Sequence, residues 1–267
     1  MRQRILTAIL AIPLVLLPVI ATPLWSVVGA SFLILFLAHG EIRKFGDKAA
    51  FPIPIFASLS LLAAGLFLDR IPDWSVFVAF VIGIIGSLLW IRLPKDAPHW
   101  QRFLQAEWIS TGWIVTTLVA FIFVHRHGNL TIPLDFRTPI LFGFIPIWLG
   151  DTTAMIVGKK FGKHKLWAEV SPGKTWEGAL ANLFANVVGA YGLAMLTGMP
   201  TNMGLAIGAA TGILGQIGDL FESWLKRTAD LKDSGTLFPG HGGLLDRYDS
   251  LGFSAIAILA IFKLFGK

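Results

Sequence analysis

The sequence predicts an all-α, polytopic integral membrane protein with about nine transmembrane helices. Hydrophobic residues make up 55% of the 267-residue chain and charged residues only 14%, well below the roughly 25% of an ordinary soluble domain. The mean hydropathy is +0.70. The apolar residues also fall in runs of about 20, the length that a helix needs to cross a bilayer while satisfying its own backbone hydrogen bonds.

The apolar runs place these helices in order along the chain. The first follows Arg2 and Arg4 and is predicted to be a retained helix rather than a signal peptide, because its apolar run is long and its cleavage site would be poor. The predicted spans are Ile5–Leu24, Trp25–His39, Phe51–Leu68, Trp74–Leu93, Trp108–Val124, Thr138–Phe161, Trp176–Leu196, Asn202–Lys226 and Tyr248–Phe265.

The distribution of charge predicts both orientation and partners. The formal net charge is +6, and most of the 22 Lys and Arg lie in alternate loops on one side of the predicted bundle. Positive loops face the cytoplasm, so we expect the N-terminus and residues 223–249 inside and the C-terminus outside. Because such loops explain the positive excess, a nucleic-acid partner is not predicted. The absence of cysteine excludes a thiolate nucleophile or thiolate metal site.

The character of the chain changes near residue 138. Residues 1–137 are predicted to be transmembrane helices with their charges in loops, and residues 138–267 a catalytic transmembrane region with a cytoplasmic loop. In the second part, acidic residues fall within or at the rims of predicted spans. A carboxylate at that depth usually marks a functional site, although some pair with Lys or Arg for packing. The residues are Asp151, Glu177, Asp219 and Glu222.

A polar stripe is predicted along the eighth helix. Asp219, Glu222, Ser223 and Lys226 stand at i, i+3, i+4 and i+7, which is one face of an α-helix. This face is predicted to line a cavity, because the apolar residues Leu214 and Ile217 precede it. The alternative is an amphipathic face that is solvated at the membrane interface.

Charged residues continue through the loop that follows this helix. A glycine-rich turn at 239–243 is predicted to return Asp246 and Asp249, at i and i+3 of the next helix, to the same rim. Carboxylates suit Mg²⁺ and interleaved Lys and Arg suit phosphates, so the pattern indicates phosphoryl or nucleotidyl transfer. The alternative for the two acids is structural, because negative charge at a helix start is stabilised by the helix dipole. His241 is predicted to be a ligand or a base; the alternative is that it only holds the turn by hydrogen bonding.

A second basic element, Gly158–Gly178, lies on the same side. It is not a P-loop, because Ala168 stands where that motif needs glycine. We expect Ser171 and Pro172 at a helix start, with Lys174 in the first turn, where backbone N–H groups and one ammonium could bind a phosphate. The alternative is an ordinary positive loop.

The charged stretch from residue 223 to residue 249 contains a series of residues at fixed spacing. They are Ser223, Lys226, Arg227, Lys232, Asp233, Pro239, His241, Gly242, Gly243, Asp246, Arg247 and Asp249. This series resembles the signature of the phosphatidate cytidylyltransferases. Further agreement comes from Asp151-Thr152, Gly158 to Lys165, Ser171 to Thr175, and Gly218-Asp219.

The resemblance implies a membrane enzyme that joins CTP and phosphatidic acid to give CDP-diacylglycerol and pyrophosphate. It implies Mg²⁺ with K⁺ beside it, a homodimer, and a bacterial inner membrane with the active site facing the cytoplasm. The expected metal ligands are Asp219, Asp246 and Asp249. The expected catalytic residues are Lys226, Arg227, Lys232, Asp233, His241 and Arg247. The expected substrate-binding residues are Asp151, Ser171, Lys174, Thr175, Glu222, Ser223, Gly242 and Gly243.

Two other functions fit the residues alone. One is an ion-coupled secondary transporter with intramembrane carboxylates, against which stand the lack of an inverted repeat and the clustering of acids with bases toward one side. The other is a transferase for a different lipid head group, which its released product would distinguish.

Overall fold

The structure is a computed structural model that describes residues 24–43, 55–67, 72–90, 98–120, 138–228, 231–235 and 242–265, with residues 70, 122, 123 and 237. Most of these residues are helical. The first predicted span, Ile5–Leu24, lies outside them except for its last residue. The helices are α1 (Leu24–Ile42), α2 (Ile55–Phe67), α3 (Asp73–Trp90), α4 (His99–Ile109), α5 (Thr138–Phe161), α6 (Trp176–Thr197), α7 (Thr201–Thr228) and α8 (Leu245–Phe265).

Within the described residues, four helices are long and apolar enough to cross a membrane. They are Leu141–Phe161, Trp176–Thr197, Thr201–Thr228 and Tyr248–Phe265. The apolar stretches of α1, α2 and α3 are shorter, and they cover Val28–Ile42, Ile55–Ala64 and Trp74–Gly86. A predominantly helical membrane protein is therefore confirmed, whereas the count of about nine spans stays a prediction.

The chain divides into two compact units. The first unit contains the described residues up to 122 together with 225–248, and the second contains 123–224 and 249–265 among those described. Each of the last two helices, α7 and α8, contributes residues to both units. The division that the sequence predicted, at residue 138, stays a prediction.

The first unit is built around a π-helical turn, Ser110–Val115, which directly follows α4. Trp113 and Ile114 in this turn are fully buried. Gly112 lies so close to Gly83 of α3 that a side chain on either glycine would overlap the other's backbone. Small residues let helix backbones approach in this way. The predicted fifth span began at Trp108, but the helix begins at His99, because its polar first turns do not register as an apolar run.

In the second unit, α5 and α6 pack along each other and α7 packs against α6. Gly208 of α7 lies against the backbone of Asn186 and Val187, so a side chain at residue 208 would displace one helix from the other. The predicted span Thr138–Phe161 coincides with α5, and the predicted ends of the spans in α6 and α7 are wrong by only one or two residues. These helices carry the acidic residues of the predicted spans, which are Asp151, Glu177, Asp219 and Glu222.

A two-stranded antiparallel sheet corrects the all-α prediction. Strand β1 (Lys165–Trp167) pairs with β2 (Ser171–Thr175), with Lys165 opposite Thr175. The helix start that was expected at Ser171 and Pro172 is wrong: α6 begins at Trp176, and Lys174 precedes it. Proline disfavours helical conformation in the residue before it, and Gly173 is a poor helix former. Thr175 is the N-cap, and its hydroxyl accepts a hydrogen bond from the Gly178 N–H at 3.2 Å.

Candidate functional site

Three carboxylates of the second unit form an acidic cluster, consisting of Asp219, Glu222 and Asp249. Asp219 and Glu222 lie one turn apart on α7, and Asp249 lies on α8; one oxygen from each lies within 4.8 Å of the others. Gly218 permits this approach, because a side chain there would overlap the Asp249 carbonyl and come within 2.9 Å of the Phe253 ring. Asp219 and Asp249 were predicted as metal ligands, and Glu222 was predicted to bind substrate.

The sheet brings a lysine to the acidic cluster. Lys174 Nζ of β2 lies 2.5 Å from Asp219 Oδ2. On the other oxygen of the same carboxylate, Ser223 Oγ donates a hydrogen bond to Oδ1 at 3.4 Å. Lys174 of the hairpin and Ser223, one turn along α7, therefore both contact the Asp219 carboxylate. All three were predicted site residues.

The donor set of the acidic cluster fits a divalent cation. Carboxylate oxygens are hard ligands of the kind that Mg²⁺ and Ca²⁺ take in proteins. Carboxylates that lie within 4.8 Å of one another repel when they are ionised, and Lys174 offsets part of that charge at Asp219. A divalent cation bound among the three oxygens would reduce the repulsion further. The carboxylates alone do not distinguish among such ions.

Asp246 lies in the first unit, where it accepts hydrogen bonds from four donors. Its Oδ1 pairs with Lys226 Nζ at 2.5 Å. Its Oδ2 accepts from Ser234 N–H at 3.1 Å, Ser234 Oγ at 3.0 Å and Gly243 N–H at 2.7 Å. Burial acts to raise the pKa of the Asp246 carboxyl, but the hydrogen bonds from Lys226 and Gly243 and the charge of Lys226 together hold it below its usual value. That Asp246 is also a metal ligand stays a prediction.

A buried glutamate that the sequence did not point to binds the residues that directly precede and begin α8. Glu41 of α1 is only 5% exposed. Its carboxylate accepts hydrogen bonds from the N–H groups of Leu244 and Leu245 at 2.8 and 2.9 Å, and from Ser234 Oγ at 2.8 Å. The one available signal in the sequence was an acidic residue at the end of an apolar run, which on its own does not reveal so distant a partner.

The two glycines of the signature that the structure describes are required by these contacts. Gly242 has a φ of +79°, in the region that L side chains rarely adopt. A side chain there would also come within 2.5 Å of Asp246 Oδ2. A side chain on Gly243 would overlap Ser234 Oγ and the Glu41 carboxylate. The close approach of the carboxylates therefore explains both glycines.

Asp151 of α5, predicted to bind substrate, ends a directed series of hydrogen bonds in the second unit. Thr211 Oγ1 donates to Asn186 Oδ1 at 3.2 Å, Asn186 Nδ2 donates to Asn182 Oδ1 at 2.9 Å, and Asn182 Nδ2 donates to Asp151 Oδ1 at 3.1 Å. Together with Ser250 they line one pocket. These amides were not among the predicted site residues, although two asparagines four residues apart in an apolar span were a visible signal.

The remaining predicted site residues lie elsewhere in the described part of the chain or are only partly described. Arg227 is exposed and donates to the Leu231 carbonyl at 2.9 Å. Lys232 and Asp233 are exposed, and Ser171 is half-buried in β2. His241 lies outside the described residues, and for Arg247 only the backbone, at the start of α8, is described. Their roles stay predictions.

The fold and the acidic cluster define a class, that of helical integral membrane proteins with a candidate divalent-cation site. The chain belongs to the cytidylyltransferase family, which matches it over residues 2–265. It is similar to a protein of Staphylococcus aureus strain COL named phosphatidate cytidylyltransferase, with 34% identity over 231 residues that cover 77% of this chain and 88% of the relative.

Two further relatives with the same name extend over most of the chain. The protein of Staphylococcus haemolyticus is 31% identical over 258 residues, covering 95% of both chains. That of Staphylococcus saprophyticus is 32% identical over 280 residues, also covering 95% of both. The resemblance seen in the sequence is thereby confirmed. Neither the family nor these relatives support the alternative of an ion-coupled transporter.

Proposed function

We propose that this chain transfers the cytidylyl group of CTP to phosphatidic acid, giving CDP-diacylglycerol and pyrophosphate. The observation that carries the proposal is the acidic cluster with its paired Lys174, in a chain of the cytidylyltransferase family. The names of the relatives supply the lipid substrate. Three carboxylates and a lysine suit a reaction whose substrates and products all carry phosphate.

The chemistry explains why the site contains charged residues rather than a nucleophile. A phosphate oxygen of phosphatidic acid attacks the α-phosphorus of CTP, a new P–O–P bond forms, and the bond to the departing pyrophosphate breaks. The attacking phosphate monoester already carries a charge of about −1.5 to −2 near neutral pH, so it needs no general base. What limits the step is repulsion between anions, which positive groups around the phosphates reduce.

We assign the residues of the chain to that task. Asp219, Glu222 and Asp249 would hold a divalent cation, which supplies charge neutralisation at the phosphates when bound. Lys174 orients Asp219, and Lys226 is fixed by Asp246 at the start of α8. We also propose Asp246 as a metal ligand. A K⁺ ion beside the Mg²⁺ is a separate part of the proposal. Phosphate binding is proposed for Lys226, Arg227, Lys232 and Arg247.

The setting of the enzyme is also a proposal. We place it as a homodimer in a bacterial inner membrane with its site facing the cytoplasm, which the excess of Lys and Arg in one set of loops supports. In that setting CTP would reach the site from water, while phosphatidic acid would enter from the bilayer between helices.

The test is a reconstituted assay. Purified protein is incubated with CTP labelled at the α-phosphate, phosphatidic acid and Mg²⁺, and the label is followed into the lipid extract. We expect labelled lipid together with pyrophosphate, and loss of both on chelation. Labelled lipid with release of CMP would indicate a different head-group transferase. No labelled lipid from a folded, lipid-reconstituted protein would refute the proposal.

A further inference from the structure

We propose that Glu41 is a positioning residue for the reaction, which fixes the signature loop from a helix far away in the sequence. The name signature loop refers to the residues that the structure describes between α7 and α8, which are 231–235, 237 and 242–244. The inference rests on the proposed function, since it concerns the placement of Lys226 and Asp246. It also assigns a task to α1, a helix of the region in which the sequence analysis found no site residue.

The contacts of Glu41 are those of a carboxylate built into the loop. Its Oε1 accepts from Leu244 N–H at 2.8 Å, and its Oε2 accepts from Leu245 N–H at 2.9 Å and from Ser234 Oγ at 2.8 Å. Leu245 is the first residue of α8 and Leu244 directly precedes it, so neither N–H has an intrahelical acceptor, as at every helix N-terminus. Glu41 therefore fixes where α8 begins and, through Ser234, where the middle of the loop lies.

Two glycines of the loop lie directly against this carboxylate. A side chain on Gly235 would overlap Glu41, and a side chain on Gly243 would overlap Glu41 and Ser234. Two loop positions therefore lack a side chain where the Glu41 carboxylate lies.

Ser234 transmits this placement to the proposed machinery. Its hydroxyl lies 2.8 Å from Glu41 Oε2 and 3.0 Å from Asp246 Oδ2, and its N–H donates to Asp246 at 3.1 Å. A hydroxyl has one proton to donate, so the two carboxylates share it. Asp246 then pairs with Lys226 at 2.5 Å. Loss of the Glu41 carboxylate should therefore move Ser234, Asp246 and Lys226 together.

The test compares Glu41→Gln with Glu107→Gln in the full-length, reconstituted protein. Glutamine keeps the size of glutamate but turns one acceptor into a donor, which would face a backbone N–H or the Ser234 hydroxyl. Glu107 is a matched control: it is 3% exposed and accepts hydrogen bonds from Ile55 N–H at 2.7 Å and Ala57 N–H at 3.2 Å, at the start of α2. Both changes remove a buried carboxylate that accepts hydrogen bonds from N–H groups at a helix start, but only Glu41 lies at the signature loop.

We expect Glu41→Gln to lower kcat about 10- to 100-fold, since small displacements of reacting groups cost that much, with a much smaller change in the KM for CTP. Glu107→Gln should keep the wild-type kcat. A second readout uses the absence of cysteine from the chain: a spin label on Leu237→Cys, an exposed loop position, should become more mobile with Glu41→Gln and not with Glu107→Gln.

Unchanged kcat or unchanged label mobility in Glu41→Gln would overturn the inference, and so would an equal loss of kcat in Glu107→Gln. If Glu41→Gln does not fold, Ser234→Ala removes only the shared hydroxyl and should lower kcat several-fold and mobilise the label; no effect on either would also overturn the inference. If the wild-type protein forms no CDP-diacylglycerol, the proposed function fails, and the label mobility alone tests whether Glu41 fixes the loop.

Discussion

The acidic cluster requires negative charge from each of its members if it holds a cation. We expect Asp219→Asn and Asp249→Asn each to lower turnover at least about 100-fold or to raise the Mg²⁺ concentration needed for half-maximal rate, because asparagine keeps the size of aspartate but not the charge. The measurement is initial rate against Mg²⁺ concentration. Glu169→Gln, at an exposed carboxylate in the turn of the hairpin, is the matched control and should behave as wild type.

Normal turnover and normal Mg²⁺ dependence in both aspartate variants would show that the cluster is not the metal site. The same titration on Glu222→Gln tests the member of the cluster that was not predicted as a ligand. An effect equal to those of the two aspartate variants would place Glu222 among the ligands.

The Lys226–Asp246 pair makes stability depend on pH. The folded pKa of Asp246 is lowered, and an unfolded aspartate has a pKa of about 3.9. The carboxylate therefore contributes stability above about pH 4, and the contribution is lost as pH falls through the folded pKa. Asp246→Asn should destabilise the protein by about 3–5 kcal/mol at neutral pH, because it leaves Lys226 buried without its counter-charge.

The measurement is the thermal unfolding of wild type and of Asp246→Asn at a series of pH values from neutral to below about 4. The gap between wild type and Asp246→Asn should narrow as the pH falls below about 4. Asp233→Asn, which changes an exposed carboxylate of the same loop, should unfold like wild type throughout. A gap that stays constant with pH would mean that the Asp246 charge does not stabilise the fold.

At the scale of elements, the contact between α7 and α8 depends on Gly218. Gly218→Ala should cost about 1–3 kcal/mol, as overpacking does, because the new Cβ would overlap the Asp249 carbonyl. Since Asp249 belongs to the acidic cluster, the variant should also need more Mg²⁺. Gly192→Ala in α6, where nothing lies within 4 Å of the added Cβ, should be neutral or slightly stabilising. Equal stability of the two variants would contradict the close contact.

Local pattern predicted helices well and predicted the hairpin badly. Hydropathy placed α5 to α8 to within a few residues because their apolar runs are uninterrupted. It missed the polar first turns of α4 and took Lys165–Thr175 for loop and helix start, since a strand of five residues that contains Pro172 and Gly173 carries little hydrophobic pattern. The hairpin follows from pairing with another short segment, which hydropathy does not encode.

The sequence predicted those parts of the candidate site whose residues are close together in the chain, and it did not predict contacts between distant residues. Asp219, Glu222 and Ser223 were expected on one face because they follow helical spacing, and the structure places Asp219 and Glu222 in the acidic cluster. The contacts of Lys174 with Asp219 and of Glu41 with Leu244 cross 45 and 203 positions, respectively. No periodicity in the sequence carries such pairs, and only the fold brings them together.

At the scale of the whole molecule, the positive-inside pattern predicts orientation. A reporter that is active only in the cytoplasm should be active when inserted in the exposed turn of the β1–β2 hairpin and inactive when fused to the C-terminus. Activity at both positions would mean that the chain crosses the membrane an even number of times after the hairpin, rather than the predicted three. An inactive reporter in the hairpin would place the hairpin outside and contradict the proposed cytoplasmic site.

The hydrogen bond from Leu244 to Glu41 joins residues that are 203 positions apart. A ribosome adds about 5–20 residues per second, so Glu41 is made roughly 10–40 s before its acceptor oxygens have a partner. For that time the carboxylate lacks the donors that it has in the folded protein, namely Ser234, Leu244 and Leu245. The start of α8 therefore completes the surroundings of the first described helix, and translation that stopped before α8 would leave Glu41 without these hydrogen bonds.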